Sequence, residues 1–255
     1  MIELEFDGKI ALVTVDVPAT RNALNVELAH QLVGACDEIN KNTAVGAAVI
    51  RGAGSDFCSG AERALLDDVG SDPIELDRYE WLGDIYRAFT RFGQLEVPTI
   101  AAVRGAAVGA GFNLMLAADL RIVAKDARLI SGFLAIGLHP GGGHFSLLAD
   151  RAGTEAAAAI AIFSEEISGT RAAELGLAWM AVSSEQVDER ATTLAHRAAQ
   201  DPTLARMMRA SLRAELGPPP LPWSAAVEVE RAPQLWSLRR RADKRASALI
   251  DNRRA

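Results

Sequence analysis

Hydrophobic and charged residues alternate over residues 2–6 (IELEF), and apolar residues run nearly unbroken over 10–15 (IALVTV), with Asp7-Gly8 between them. Two such runs around an Asp-Gly pair predict a β-hairpin, because both turn residues tolerate the positive φ that a two-residue turn requires. Pro18 closes that unit. From Val26 to Asn40 the period changes: Leu28, Leu32, Ala35, Cys36 and Ile39 recur at helical spacing and predict an amphipathic helix. Residues 46–52 (GAAVIRG) then read as a short buried strand that ends at glycine. Strand, helix and strand with a crossover of this length make a βαβ unit.

A second cycle follows. The pattern predicts a helix over 74–92 stopped by Pro98, a strand over 99–103 (TIAAV), a short small-residue helix over 109–118 and a strand over 119–124 (DLRIVA). The Gly-rich loop 137–143 (GLHPGGG) precedes Ala-rich helices to about residue 176, and 178–183 is a last weak strand. From 187 onward the chain reads as helical except at Gly217-Pro218-Pro219-Pro220, a stiff linker that no helix crosses. The expectation is an α/β fold with a core over 1–185 and a helical region over 186–255. Neither a repeat of fixed period nor a low-complexity tract interrupts it.

Composition narrows the function classes. The 255 residues are 49% hydrophobic and 24% charged, as in an ordinary globular protein able to bury a sizeable core. With 5% aromatic residues and a net charge of -6, nucleic acid is not an expected partner. The charge is uneven: residues 231–255 hold eight Lys/Arg (Arg231, Arg239, Arg240, Arg241, Lys244, Arg245, Arg253, Arg254) against Asp243 and Asp251, so this tail is +6 and the rest -12. The tail reads either as a solvated helix face or as a cationic patch for phosphate or an acidic neighbouring subunit. Cys36 and Cys58 read as reduced thiols. No apolar run is long enough for a membrane span and the N-terminus has no signal-peptide pattern, so a cytoplasmic protein is expected.

Four histidines limit the chemistry. His30 and His196 sit among polar helical neighbours and read as surface residues. His139 and His144 bracket HPGGGH, whose proline and glycines forbid the shared helix face of a zinc pair; no metal site is expected. The same glycines are like a lipase oxyanion loop, yet no G-x-S-x-G elbow occurs, which argues against a serine hydrolase. The G-x-G of 109–111 lacks both the third glycine and the acidic residue of a dinucleotide fingerprint. What remains is a pair of small-residue turns, 52–61 (GAGSDFCSGA) and 104–111 (RGAAVGAG). Each reads as a strand-to-helix turn that exposes main-chain N–H groups, and two facing one point would make an oxyanion hole from backbone alone. The alternative is that the glycines only let helix pack closely on strand.

Five colinear segments carry a family resemblance: RNALN (21–25), SDFCSGAE (55–62), PTIAAVRGAAVGAGFNLMLAADLRI (98–122), AIGLHPGGGHFSLLADRAG (135–153) and SEEISGTRAAELGLA (164–178). With them the sequence resembles the crotonase (enoyl-CoA hydratase/isomerase) superfamily over essentially residues 2–185. The resemblance implies a crotonase (ClpP-like) spiral of ββα units, a helical C-terminal region that builds a homotrimer or dimer of trimers, and an acyl-CoA thioester as substrate. Coenzyme A would be part of that substrate, with no separate cofactor. The thioester oxygen would be held by the N–H groups of Ala61 and Ala110. Substrate contacts carried over from the family fall on Arg21 (toward the CoA phosphates), Ala23, Leu24, Gly60, Glu62, Phe133 and Gly141.

The departures bear on the reaction. Hydratases of this family carry two glutamates, one in a G-G-G-C-E-L pattern and one four residues before the glycine of an I-L-L-G turn; Asn113 and Phe133 occupy those positions. An amide exchanges no proton near neutral pH, and phenylalanine offers only bulk. Asn113 would orient water or an acyl substituent, and His139, beside Pro140 where some relatives place another acid or base, would carry the proton. Glu62 stands where relatives use an Asp structurally, and Asp67, Asp68, Tyr79 and Tyr86 fall in the variable segment that caps the acyl pocket. The expected activity is a lyase or isomerase reaction on a thioester enolate, with decarboxylation, C–C cleavage and non-catalytic acyl-CoA binding as alternatives.

Overall fold

The computed structural model describes residues 1–72, 74–217 and 219–254, with side chains described outside 244–246 and 248–254. Pro218 of the linker and the side chains of Lys244, Arg245, Arg253 and Arg254 therefore lie outside the described residues. Two compact units divide at Pro202/Thr203.

The first unit is built on a six-stranded sheet. Its hairpin joins β1 (Ile2–Asp7) to β2 (Ile10–Val15) with Asp7 opposite Ile10. Glu3 and Glu5 on β1 are exposed while Ile2 and Leu4 are partly covered, the charged outer face of an edge strand. Helix α1 (Val26–Lys41) crosses over to β3 (Ala47–Gly52), which pairs parallel to β2. Asn25 caps α1 by accepting the Leu28 N–H at 2.9 Å. Its buried face carries Leu28, Leu32, Cys36 and Ile39, and each large aliphatic side chain contributes about 1.5–3 kcal/mol. Parallel strands β4 (Thr99–Val103), β6 (Leu120–Ala124) and β9 (Met180–Val182) complete the order β1-β2-β3-β4-β6-β9.

A second sheet has three short strands in the order β5 (Ala106–Val108), β7 (Arg128–Ile130) and β8 (Ile167–Ser168). The pattern of the chain does not predict it, because β5 lies inside a stretch of small residues that reads as one turn. Helices α2 (Arg63–Ser71) and α3 (Leu76–Gly93) come before β4, α4 (Ala110–Ala117) follows β5, and α5 (His144–Ala161) and α6 (Gly169–Glu174) follow the Gly-rich loop. Of α2 and α3, the sequence pattern predicts only α3. Helix α7 (Val187–Ala198) buries Val187, Ala191 and Ala195 against β3, β4 and β6. The first compact unit runs to Pro202 and includes α7, whose one buried face covers the sheet.

The second unit contains most of α8 (Pro202–Leu216) and α9 (Trp223–Arg254), which lie on either side of the Pro-rich linker. Along α9, Arg231 pairs with Glu228 at 2.7 Å, Arg239 with Asp243 at 3.1 Å, and the Arg240 guanidinium lies 5.1 Å from the Trp236 ring centre. Arg231, Arg239 and Arg240 of the basic tail thus have local partners on their own helix.

One buried amide ties the loops of the first unit together. Asn22, fully buried with φ 59°, accepts from Val17 N–H at 2.9 Å and donates to the Ala53 and Asp56 carbonyls at 2.8 Å each. Asn22→Ala orphans all these backbone groups and removes a residue type that tolerates the left-handed region. It is expected to lower unfolding free energy by about 3 kcal/mol, read from the urea midpoint. A midpoint at the wild-type value would contradict that assignment.

Candidate active site

The two small-residue turns meet because short bridges stitch them to each other. Leu24 N–H donates to Gly60 O at 2.7 Å and Leu24 O accepts from Glu62 N–H at 2.8 Å. That parallel bridge uses the groups flanking Ala61, so the N–H of Ala61 itself is turned away from Leu24. On its other side the same segment bridges β5: Cys58 N–H donates to Ala106 O at 3.1 Å, and Cys58 O accepts from Val108 N–H at 3.0 Å. The approach is so close that Gly111 has no room for a Cβ, which would collide with the Cys58 carbonyl. Gly60, at φ 99°, would place a Cβ 2.8 Å from Val108 O and 3.7 Å from Ala110 N. Ala110 is the first residue of α4, where no carbonyl of the helix can accept its N–H. Among the described residues, neither Ala61 N–H nor Ala110 N–H donates to a protein acceptor.

Both alanines line one cavity of about 370 Å³, within the size range of small-molecule sites. Leu66, Val69, Leu82, Ile85 and Phe89 of α2 and α3 give it an apolar wall, and Val108, Gly132 and Phe133 lie on it as well. Tyr86 also lines the cavity, and burial raises its hydroxyl pKa above the usual phenolic value. Among the described residues, the lining contains no Asp or Glu.

A polar chain runs behind this apolar surface. Asn113, buried on α4, donates from Nδ2 to Gly141 O at 3.1 Å, which leaves Oδ1 as an acceptor. His144 Nδ1 lies 2.7 Å from that Oδ1 and so must carry the hydrogen. Its Nε2 then holds the lone pair and accepts the Ser131 hydroxyl at 2.9 Å. Burial lowers the His144 pKa to about 4, so the ring is neutral at neutral pH. The Phe133 and Phe112 rings pack edge-on against the imidazole with centres 5.1 Å and 5.8 Å away.

The structure brings Gly60, Ala61, Ala110, Asn113, Phe133, His139 and Gly141 together on the cavity. Arg21, Ala23, Leu24 and Glu62 are not among its lining residues. Leu24 is fully buried, and Arg21 is exposed with its carbonyl accepting from Ser59 N–H at 2.9 Å, so the 21–25 segment braces the 58–61 turn through its backbone. Glu62 starts α2 without a side-chain cap bond. Of the capping-segment candidates only Tyr86 reaches the cavity; Asp67, Asp68 and Tyr79 are exposed. His139 is exposed, with Nδ1 2.7 Å from Pro140 O. The Asn113 amide donates one hydrogen to Gly141 O and accepts from His144 Nδ1. His30 faces Asp84 at 3.0 Å and His196 faces Asp7 at 3.2 Å, both histidines being exposed. Cys36 and Cys58 are free and buried, with burial pushing each thiol up to about 12. Ser131 carries no signal of its own in the sequence: it stands 18 residues after Asn113 and 13 before His144, on a different element from each.

Two outcomes follow from this geometry. Gly60→Ala forces a side chain onto a φ of 99° and against Val108 O. It is expected to cost about 1–3 kcal/mol in urea unfolding and to weaken acyl-CoA binding measured by calorimetry. His144 titrates at about 4 when folded against 6.5 as the reference value, so its contribution is complete above pH 6.5 and is lost as pH falls toward 4. Wild type should lose up to about 3 kcal/mol over that window beyond what His144→Gln loses, measured by denaturation at each pH. Parallel pH profiles would contradict the burial of this imidazole.

Comparison with known proteins fixes the family. The sequence pattern of the enoyl-CoA hydratase/isomerase family matches residues 5–237. "Probable enoyl-CoA hydratase EchA14" of Mycobacterium tuberculosis is 37% identical over 215 residues, covering 84% of this chain and 82% of that protein. The crystal structure of an enoyl-CoA hydratase from Polaromonas sp. JS666 is similar with a TM-score of 0.84 at 26% identity, over 93% of this chain and 91% of the other. A Thermobifida fusca YX protein, crystallised in complex with acetoacetyl-CoA, is similar with a TM-score of 0.81 at 26% identity, over 94% and 95%. With its two sheets and its C-terminal helices, the chain belongs to the enoyl-CoA hydratase/isomerase family and has the crotonase fold.

Proposed function

We propose that the N–H groups of Ala61 and Ala110 hold the thioester oxygen of an acyl-CoA and stabilise the enolate formed at the neighbouring carbon. The observation that supports this most is the pair of unbonded backbone donors on a cavity whose described lining has no carboxylate. In an apolar cavity a fixed donor is worth more than in water, and one oxyanion donor contributes about 3–4 kcal/mol to a transition state.

With Asn113 and Phe133 at the family's glutamate positions, proton transfer falls to His139. Its Nδ1 faces a carbonyl and therefore carries the hydrogen, which leaves the Nε2 lone pair free to take a proton at the exposed edge of the cavity. The CoA portion would lie along 21–25 and 59–61 with Arg21 near its phosphates, as the family resemblance suggests. A homotrimer, or a pair of trimers, is the assembly that goes with this reading. Acetoacetyl-CoA in the Thermobifida fusca relative belongs to the same class of ligand. A lining without carboxylates also suits decarboxylation or C–C cleavage, where bond breaking delivers the enolate without a base.

In D2O the wild type is expected to exchange the α-protons of butyryl-CoA, followed by NMR, and His139→Ala to slow that exchange about 100-fold. Crotonyl-CoA hydration should be weak in wild type and rise in the Asn113→Glu/Phe133→Glu double variant. Strong wild-type hydration that His139→Ala leaves unchanged would contradict the proposal. Release of CO2 from malonyl-CoA, with no α-proton exchange, would select the decarboxylating form.

A further inference from the structure

We infer that Ser131, His144 and Asn113 form a nucleophile–base–orienter array that gives this cavity a second activity, hydrolysis of the acyl-CoA thioester through an acyl-Ser131 intermediate. The inference rests on the reading that an acyl-CoA binds here, and goes beyond it in naming a covalent step.

The geometry has each part that acyl transfer needs. Ser131 Oγ lies 2.9 Å from His144 Nε2, and His144 Nδ1 lies 2.7 Å from Asn113 Oδ1. The Asn113 bond to Gly141 O fixes which end of the amide accepts, and so fixes the imidazole tautomer with its lone pair toward Ser131. Ser131 and Asn113 line the cavity that Ala61 and Ala110 also line. Ser131 is placed there by strand pairing: β5 and β7 match Val108 with Ile130, and Gly109 N–H donates to Ile130 O at 3.0 Å. The residue after Ile130 therefore lies beside the turn that presents the Ala110 donor. Phe133 and Phe112 keep the imidazole out of water on the faces they cover.

The step balances without a further reactant than water. Ser131 Oγ attacks the thioester carbonyl carbon as its proton passes to His144 Nε2, and the negative oxygen sits on the Ala61 and Ala110 N–H groups. The C–S bond breaks, the proton goes from His144 to the leaving sulfur, and CoA-SH departs. Water then attacks the acyl-Ser131 ester, giving up its proton to His144, and the carboxylic acid leaves as Ser131 recovers its hydrogen. Asn113 is a positioning residue that acts through His144. Its amide holds the tautomer but adds no charge to favour the imidazolium, which makes this a slow nucleophile compared with an array that ends in Asp.

The test uses the full-length chain with acetyl-CoA and butyryl-CoA. Free thiol release is followed with a thiol reagent, acid-quenched protein is weighed intact, and the adduct is located by peptide mapping. Wild type should release CoA-SH and carry one acyl group on Ser131. Ser131→Ala should lose the adduct and at least ~100-fold in release, while Ser131→Cys, which keeps a nucleophile at the same place, should still be acylated. A fluorophosphonate should label Ser131 in wild type and fail to label it in His144→Gln, independently of any CoA binding. Asn113→Asp, which still accepts the Nδ1 hydrogen, should keep acylation, and Asn113→Leu should lose it. Absence of both acyl and phosphonyl groups from wild-type Ser131, or thiol release undiminished in Ser131→Ala, overturns the inference. Binding of S-butyl-CoA, a thioether that cannot be cleaved, is measured separately. If wild type fails to bind it, the acyl-CoA reading fails and takes the thioester substrate with it.

Discussion

Everything at the site depends on how closely the 58–61 turn approaches 108–111. Two chains of backbone come within hydrogen-bonding distance at Cys58 and Val108, and the space between them is too small for a Cβ on Gly111. On the other side of that turn the bridge to Leu24 uses the groups flanking Ala61 and leaves the Ala61 N–H without a protein acceptor, as the helix start leaves that of Ala110, and both residues line the cavity. A pair of donors made this way needs no side chain and no reorganisation when negative charge develops on a bound oxygen. Both donors are fixed by secondary structure, one by a bridge and one by a helix start.

Around those donors the chain has arranged an apolar wall in front and a satisfied polar chain behind. Burial that drives His144 to a low proton affinity also keeps its lone pair available, and each polar atom of Asn113 and His144 that the chain uses has a defined partner. In the proposed reading the site separates two roles. His139, exposed at the cavity edge, is suited to protons that exchange with solvent. Ser131 with His144 is suited to proton transfer that solvent does not reach. Enolate chemistry and acyl transfer place negative charge on the same thioester oxygen, so one pair of donors can serve both.

Much of the fold is legible along the chain where one periodicity persists over several residues. The Asp7-Gly8 hairpin, the helix carrying Leu28, Leu32 and Ile39, and the buried strand 99–103 are read at nearly their observed limits. Strands β5, β7 and β8 are too short to establish a period, and they form only because long-range pairing supplies the partners. The helix over 63–71 has a single buried residue, Val69, and leaves little apolar pattern to detect. At the site, the paired turns and Asn113 stand out locally, through glycines and through a polar residue in an apolar run. The partnership of Ser131 with His144 does not, because it joins residues from separate elements. The missing G-x-S-x-G elbow bears on one local solution, whereas nucleophile, base and orienter are recognised by where the side chains meet.

The most direct measurement is the carbonyl stretch of a bound acyl-CoA carrying 13C at the thioester carbon, taken by isotope-edited infrared difference spectroscopy. If the N–H groups of Ala61 and Ala110 hold the oxygen, the band moves to lower frequency on binding than it has in water, as two fixed donors polarise the C=O bond. A band from the bound ligand at or above its frequency in water would contradict the backbone oxyanion hole.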